Sequence, residues 1–202
     1  FTRLFGNNNN HCVYNGDITA NGCGKMADFT LKALGEIKKL GATHIWYTGI
    51  IEHATQTDYR RYNISPDHPA IVKGKAGSPY AIKDYYDVDP DLANDVPGRM
   101  KEFENLVHRT HRSGLKVIID FVPNHVAKAT GNNRFDATPN INDWYETIKL
   151  NYGVDYLNGG TCHFSPTPDT WIKMLDILLF WASKGIDGFR CDMAEMVPVE
   201  FW

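Results

Sequence analysis

The sequence predicts an α/β fold with a parallel sheet, and two observations support this prediction. The runs 43–48, 116–122 and 186–193 are rich in β-branched and aromatic residues, as is typical of strands that are covered on both faces. A segment with apolar residues at helical spacing lies before each of these runs. A doubly wound sheet and a closed barrel of strands and helices both fit this alternation.

The first predicted helix contains four apolar residues at helical spacing: Leu31, Leu34, Ile37 and Leu40. Gly41 follows directly, where the end of a helix favours glycine. The run 43–48 (THIWYT) then predicts the first complete strand. The segment 1–5 is predicted to be the end of an earlier strand.

The second helix is predicted to open at Pro97, because proline is favoured in the first turn, and to end near Gly114. The strand 116–122 (KVIIDFV) follows it. The core face of this helix is predicted to comprise Met100, Phe103, Leu106, Val107 and Thr110.

The third helix is predicted to be capped by Asp169 and closed by Gly185, and the strand 186–193 follows it. We expect Trp46 and Trp181 to fill the core between helices and sheet. The predicted core positions of the third helix are Trp171, Met174, Leu175, Leu178, Trp181 and Ala182.

Two long connections, 53–96 and 126–168, have no clear periodicity, and each follows the C-terminal end of a predicted strand. In parallel α/β proteins, loops at these ends build the active site. The asparagine run 7–10 is predicted to be a turn or a mobile loop.

Length, composition and charge limit the classes of protein to which this chain can belong. The 202 residues are enough for one domain with a real core, and the net charge of -3 does not favour nucleic acid or an anionic membrane as a partner. No apolar run approaches the roughly 20 residues of a membrane span. The four cysteines lack zinc-site spacing, and both a Cys12–Cys23 bridge and four free thiols fit. Phe1 and Trp202 look like cuts through a longer protein, and nothing indicates an oligomeric state.

Three polar residues gather where the strand 116–122 ends. Alternation places Asp120 and Asn124 on one face of an extended chain, and His125 follows. Pro123 cannot donate to a ladder of hydrogen bonds, so the strand is expected to end near it. Both a functional site and a satisfied polar cluster at the rim of a sheet fit these residues.

A second polar pair ends the last predicted strand. Arg190 and Asp192 are two positions apart and therefore point to the same side. A guanidinium beside a carboxylate keeps the carboxylate ionised, and an ionised aspartate at a strand end can attack an electrophilic carbon. A structural ion pair fits the same two residues.

Taken together with the stretch 79–90 (PYAIKDYYDVDP), these two motifs resemble signature regions of the α-amylase family, whose members act on α-glucosides. The resemblance runs along the whole chain and is weakest across 126–168. It implies an α/β fold of the (β/α)8 TIM barrel type, of which about the first four β/α units are present. It assigns 1–125 to the first barrel strands, 126–168 to a small inserted domain B, and 169–202 to the continued barrel.

The resemblance also implies roles for single residues. Asp192 is expected to be the catalytic nucleophile that forms a β-glucosyl–enzyme intermediate, and Arg190 is expected to orient it. His125 would hydrogen-bond the reacting sugar, Tyr80 would stack on that sugar, and Asp120 would belong to the supporting polar network.

Further expectations concern scaffold and metal. Asn124 would be a ligand of a structural Ca²⁺ where that site exists, with the backbone carbonyl of Met196 as a second ligand and the others within 126–168. The residues expected to support the loop that holds Tyr80 are Asp84, Tyr85 and Asp89.

The acceptor side departs from the family's pattern. Glu195 and Met196 stand at substrate-binding positions where many starch-cleaving members have Lys-His, which weakens a prediction of polymer specificity and indicates altered acceptor contacts. Neither Glu195 nor Glu200 is expected to be the general acid, because the family's acid and third carboxylate follow later strands. Four aromatic residues either line sugar subsites or pack the inserted domain: Trp144, Tyr145, Tyr152 and Tyr156.

The resemblance therefore predicts a retaining glycoside hydrolase that cleaves α-1,4-glucosidic bonds of starch or maltodextrins. A transglycosylase, an isomaltase-like or sucrose-cleaving enzyme, and a non-catalytic amylase-like binding or transporter-associated domain stay open. The expected partner is an α-glucan. A polymeric substrate slightly favours a secreted, periplasmic or cell-surface location.

Overall fold

The computed structural model describes residues 1–128 and 144–202. The helices in chain order are α1 (Ile18–Asn21), α2 (Leu31–Lys39), α3 (Arg99–Arg112) and α4 (Asp169–Ser183). The strands are β1 (His44–Tyr47), β2 (Ile51–His53), β3 (Ile82–Val88), β4 (Lys116–Phe121), β5 (His125–Ala127), β6 (Thr147–Lys149), β7 (Val154–Asp155), β8 (Thr161–Cys162) and β9 (Gly188–Cys191). Single 3-10 turns cover Thr2–Leu4, Met26–Asp28, Arg60–Tyr62, Pro69–Ile71, Pro90–Leu92, Tyr156–Asn158 and Ala194–Met196.

The central sheet is parallel, as predicted, with the order β1-β4-β9. Within this sheet, β1 pairs with β4 and β4 pairs with β9. A long helix lies directly before the second strand of each pair, since α3 precedes β4 and α4 precedes β9. The register places Asp120 of β4 opposite Arg190 of β9, so their side chains leave the sheet on the same face. The C-terminal ends of the three strands lie along one edge.

The hydrophobic core lies between this sheet and the helices. Phe103 of α3 and Trp181 of α4 meet there in an edge-to-face contact with ring centroids 5.3 Å apart. The Trp181 indole N–H donates to the Tyr85 carbonyl at 2.7 Å, so this buried ring has no unpaired polar atom. On the sheet side, the fully buried residues include Tyr47, Val117, Ile119 and Phe121.

Trp46 was expected in this core, and that expectation is wrong. Neighbouring Tyr47 points to the helices, where its hydroxyl bonds to Thr110 at 2.7 Å. Because side chains alternate along a strand, Trp46 lies on the opposite face, where it is 45% exposed.

One predicted strand and two predicted helix starts also need correction. The segment 1–5 is not a strand, because the Phe1 carbonyl accepts from both Leu4 and Phe5 and closes a turn. The helix α3 begins at Arg99, with Gly98 at the N-cap and Pro97 outside the helix. Asp169 is the first residue of α4 and no side chain caps that helix.

The helix ends follow the sequence more closely. Gly41 and Gly114 both have left-handed backbones, with φ of 90° and 71°, directly after the last turns of α2 and α3. An L-residue with a side chain is disfavoured in that conformation, so these two glycines end their helices.

The two long connections contain antiparallel ribbons that the sequence did not reveal. In the first connection, β3 pairs with β2, which ends where the connection begins, and the second connection contains most of the ribbon β5–β6 and all of β7–β8. The middle of the second connection, 129–143, lies outside the described residues, so the predicted boundaries of an inserted domain stay a prediction.

The remaining expectations concern cysteines, the asparagine run and the membrane. All four cysteines of the described chain are free thiols. The side-chain amides of Asn7 and Asn9 donate to the backbone carbonyls of Asn21 and Ala20, which fixes this loop against α1. Within 1–128 and 144–202, no helix is long and apolar enough to cross a membrane.

Candidate active site

A cleft of about 210 Å³ opens at the C-terminal ends of β4 and β9. Three of the residues singled out in the sequence, Tyr80, His125 and Asp192, line it together. The other lining residues are Lys73, Ser78, Trp144, Glu146, Thr147 and Met193.

Asp192 reaches the cleft because β9 ends beside it. Its backbone N–H donates to the Phe121 carbonyl at 2.8 Å, which extends the pairing with β4 by one residue. Met193 then takes a left-handed backbone with φ of 48° and turns the chain away from the sheet. Asp192 is therefore held by backbone bonding at the rim, 8% exposed, with its carboxylate at the cleft.

Arg190 lies between two carboxylates. Its Nη1 donates to Oδ1 of Asp192 at 2.7 Å and to Oδ1 of Asp120 at 3.2 Å. The second oxygen of Asp120 accepts from the Gly49 N–H at 3.4 Å. The expected pairing of Arg190 with Asp192 is thus present, and Asp120 supports it from the neighbouring strand.

Two aromatic rings contact the Arg190 guanidinium, which is partly exposed. Its central carbon lies 5.0 Å from the centroid of Trp46 and 5.6 Å from that of Tyr80. Burial alone would lower the pKa of Arg190, but the charges of Asp192 and Asp120 outweigh it and raise that pKa. Burial raises the pKa of the Asp120 carboxyl, against hydrogen bonds from Trp46 and Arg190 that lower it.

His125 begins β5 and is almost fully buried. Its Nδ1 lies 3.1 Å from Nδ2 of Asn124, and its ring packs against Trp144 with centroids 5.0 Å apart. Burial lowers the pKa of His125, although the negative charge of Asp192 opposes this shift. A hydrogen bond with the Tyr80 backbone also opposes the shift. With Nδ1 accepting from the Asn124 amide, the neutral imidazole carries its N–H at Nε2.

A network of polar contacts holds the loop that ends in Tyr80. Nδ1 of His53 lies 2.6 Å from a carboxylate oxygen of Asp89, off the ideal hydrogen-bond angle, and Nε2 lies 3.1 Å from the Ala76 carbonyl. Arg3 donates to the carbonyls of Ala76 and Gly77. Asp89, expected to be scaffold, therefore acts on the Tyr80 loop through His53.

Tyr85 joins two parts of the cleft wall. From β3, its hydroxyl donates to the carbonyls of Val122 at 2.6 Å and His125 at 3.1 Å, which fixes the chain between β4 and β5. Within 1–128 and 144–202, by contrast, Asp84 accepts only from the nearby Tyr86 N–H, and it does not line the cleft.

Asn124 and the Met196 carbonyl, the two expected calcium ligands, do face one point. That point is taken by the ammonium of Lys149, which donates to Oδ1 of Asn124 and to the Met196 carbonyl. Calcium binds about six to eight oxygen ligands, and a positive charge already bonded to two of them repels it. The described residues therefore do not fit a calcium ion at this joint.

Glu195 and Met196 are not part of the Asp192 cleft. Both are exposed, and they line an open groove on the other side of the turn Ala194–Met196, together with Tyr156 and Trp202. This places them beside the site rather than in it, and their predicted role toward an acceptor sugar stays a prediction.

The cleft wall also contains an ion pair between Lys73 and Glu146 that the sequence does not indicate, with Nζ and Oε1 2.7 Å apart. The two residues lie on aperiodic segments 73 positions apart, so no sequence pattern joined them.

The sequence did not decide whether Trp144 and Tyr152 contact a ligand or pack the interior. Trp144 lines the cleft, whereas Tyr152 is buried and donates to the Pro123 carbonyl at 2.7 Å.

The arrangement can perform one kind of chemistry. A carboxylate at the cleft, held by a guanidinium, can act as a nucleophile, and the aromatic ring and imidazole beside it suit a sugar ring with its hydroxyl groups. Within residues 1–128 and 144–202, no group of three or more His, Cys, Asp or Glu side chains could hold a metal ion.

Comparison with known proteins gives a consistent match. The family model of the α-amylase catalytic domain matches residues 3–172. An α-amylase crystal structure from Lactobacillus plantarum superposes with a TM-score of 0.64 at 31% identity, covering 89% of this chain and 36% of that one.

Two curated relatives differ in function. Maltase A2 of Drosophila melanogaster is 26% identical over 214 residues, covering 87% of this chain. The amino acid transporter heavy chain SLC3A1 of Homo sapiens is 28% identical over 150 residues, covering 58% of this chain. The chain spans 32% and 21% of the lengths of these two proteins.

Proposed function

The chain belongs to the α-amylase catalytic-domain family, and we propose that it forms the nucleophile half of a retaining α-glucosidic active site in the whole protein. The observation that supports this most directly is the Asp192 carboxylate at the cleft, bonded to Arg190 at 2.7 Å and accompanied by Tyr80 and His125. The substrate we propose is an α-1,4-linked glucan such as starch or a maltodextrin.

In the proposed reaction, Asp192 attacks the anomeric carbon while a carboxylic acid protonates the departing oxygen. A covalent glucosyl–Asp192 ester forms, and water then hydrolyses it with retention of configuration. Retaining enzymes place the two carboxyl groups roughly 5–5.5 Å apart. Glu195 and Glu200 lie outside the cleft, and the Glu146 carboxyl on the cleft wall is paired with Lys73, so we propose that the general acid comes from another part of the protein.

Arg190 and His125 have separate tasks in this proposal. The guanidinium fixes which oxygen of Asp192 faces the sugar, because Oδ1 is bonded to Nη1. The neutral His125 donates a hydrogen bond to a sugar hydroxyl, and the Tyr80 ring covers one face of the sugar. Both contacts favour the flattened, cationic transition state over the relaxed ring.

The architecture we propose for the whole protein is a (β/α)8 barrel with a small domain inserted after the strand β4. The order β1-β4-β9 matches three successive barrel strands. The ribbons β5–β6 and β7–β8 lie between β4 and α4, where such a domain would be inserted.

The variant Asp192→Asn in the whole protein tests this function. The amide keeps the size of the side chain but is not a nucleophile, so we expect release of reducing sugar from soluble starch to fall by about a thousandfold or more. The matched control is Asp176→Asn on the exposed face of α4, which should retain full activity. Unchanged release by Asp192→Asn would remove this residue from the mechanism.

A non-catalytic role is the second candidate, because one relative is a transporter heavy chain. Absence of hydrolysis and transfer on maltodextrins, isomaltose and sucrose by the whole wild-type protein would favour the binding role.

A further inference from the structure

Lys149 lies at the joint between the sheet and the segment that follows β4. It is the last residue of β6, paired with His125 of β5, and it is only 9% exposed. Its ammonium donates to Oδ1 of Asn124 and, at 3.0 Å, to the Met196 carbonyl. It also lies 5.2 Å from the centroid of the Tyr156 ring. Because an unpaired buried charge is strongly disfavoured, these contacts define the position of the ammonium.

The two oxygen acceptors belong to different parts of the site. Asn124 directly precedes His125 in the sequence, and its Nδ2 lies 3.1 Å from the His125 Nδ1. Met196 ends the turn that follows Asp192, and its N–H donates to the Met193 carbonyl at 3.0 Å. One cation therefore joins the strand end that holds the histidine to the loop that follows the aspartate.

We propose that Lys149 is a built-in cation that takes the place of calcium at this joint and positions His125 and the loop after Asp192 without a metal. The ammonium supplies the positive charge that would draw these oxygens together, and it supplies N–H donors that calcium lacks. The orientation of the Asn124 amide follows from it, because Oδ1 faces the ammonium and Nδ2 is left to face the imidazole. The effect on catalysis rests on the proposed function, whereas the replacement of the metal does not.

The first experiment measures the accessibility of the amine in the whole wild-type protein. Limited acetylation followed by peptide mass spectrometry reports each lysine, with Lys39, whose side chain is 73% exposed, as the reference. Lys149 should stay protected both in a chelator and in millimolar calcium, while Lys39 is labelled in both. Labelling of Lys149 that rises when calcium is added would overturn the proposal, because the metal would then have displaced the ammonium.

The second experiment compares three charge variants. Lys149→Asp brings a carboxylate to the two existing oxygens, so millimolar calcium should raise its thermal midpoint by about 5 °C. Lys39→Asp makes the same change of charge on the surface and should respond to calcium no more than the wild type does. Lys149→Met removes the ammonium without adding a ligand, so its midpoint should fall and calcium should not restore it.

The same variants separate positioning from general stability. Calcium should restore kcat/KM of Lys149→Asp and leave the roughly tenfold or greater loss in Lys149→Met unchanged. An equal calcium response of wild type and Lys149→Asp would overturn the proposal. If Lys149→Asp does not fold, the acetylation pattern of the wild type decides. Full activity of Asp192→Asn would refute the proposed function but would leave the labelling and midpoint results in force.

Discussion

Arg190 contacts two carboxylates and two aromatic rings, and it is only partly buried. Its bonds to Asp192 and Asp120 fix the carboxylate that faces the cleft. The rings of Trp46 and Tyr80 lie within cation–π distance of the guanidinium and restrict its motion. The geometry of the nucleophile therefore depends on residues from four separate segments of the chain.

Substitution of Tyr80 tests the role of its ring. Tyr80→Phe keeps the aromatic face toward sugar and guanidinium, and we expect kcat/KM to change by no more than about threefold. Tyr80→Ala removes both contacts and should lower kcat/KM about tenfold or more. Tyr14→Ala is the control, because that side chain is 95% exposed. Equal losses for Phe and Ala would contradict a role for the ring face and favour one for the hydroxyl.

At the scale of elements, the loop between β2 and β3 determines where Tyr80 lies. Gly77 has φ of 72°, and a Cβ atom at this position would lie 1.8 Å from the Ala54 carbonyl oxygen. The loop therefore packs backbone against backbone at this point, which only glycine permits.

Gly77→Ala should lower the free energy of unfolding by more than the cost of placing alanine in a left-handed backbone conformation, because the added Cβ also clashes with the Ala54 carbonyl. Gly159 is the matched control, because its φ of 76° is nearly the same and nothing lies within 4 Å of its added Cβ. We expect Gly159→Ala to lower the free energy of unfolding by about 1 kcal/mol and Gly77→Ala by at least about 3 kcal/mol. Urea unfolding of the whole protein measures both. Equal losses would mean that the loop relaxes without strain.

At the scale of the whole molecule, the buried pair of His53 and Asp89 links folding to pH. Burial alone would lower the pKa of His53, but the charge and hydrogen bonding of Asp89 outweigh it and raise that pKa, against a smaller effect of Arg3. The folded protein therefore binds this proton more tightly than the unfolded chain does. The stabilisation is fully present below about pH 6.5 and is lost as the pH rises through the folded pKa.

The difference in unfolding free energy between wild type and His53→Gln isolates this effect. The lowered pKa of His125 acts in the opposite direction, but it is common to both proteins and cancels in the difference. We expect the stability advantage of the wild type to be largest in mild acid and to shrink toward alkaline pH, as measured by urea unfolding. An advantage that grows with pH would contradict a protonated His53.

The sequence predicted the parallel sheet and the group of residues at its edge because both follow from simple periodicities. Strands of period two that end at Pro123 and after Arg190 bring Asp120 and Asp192 to one side. The sequence did not indicate on which face of β1 Trp46 lies, because the residues of 43–48 on the two faces of the strand are similar in character. Lys149 and Glu146 were missed because β6 has three residues and too little pattern to indicate a strand.

The central claim is that Asp192 becomes covalently bonded to the sugar, and trapping that bond tests it most directly. A ring-fluorinated α-glucosyl fluoride forms the glycosyl ester because the departing anomeric fluoride is a good leaving group. The ester then hydrolyses slowly, because the ring fluorine destabilises the cationic transition state. After incubation with the whole protein and proteolysis, mass spectrometry should find one glucosyl adduct on the peptide containing Asp192, and none in the Asp192→Asn variant. An adduct on another carboxylate, or inactivation without any adduct, would contradict the account.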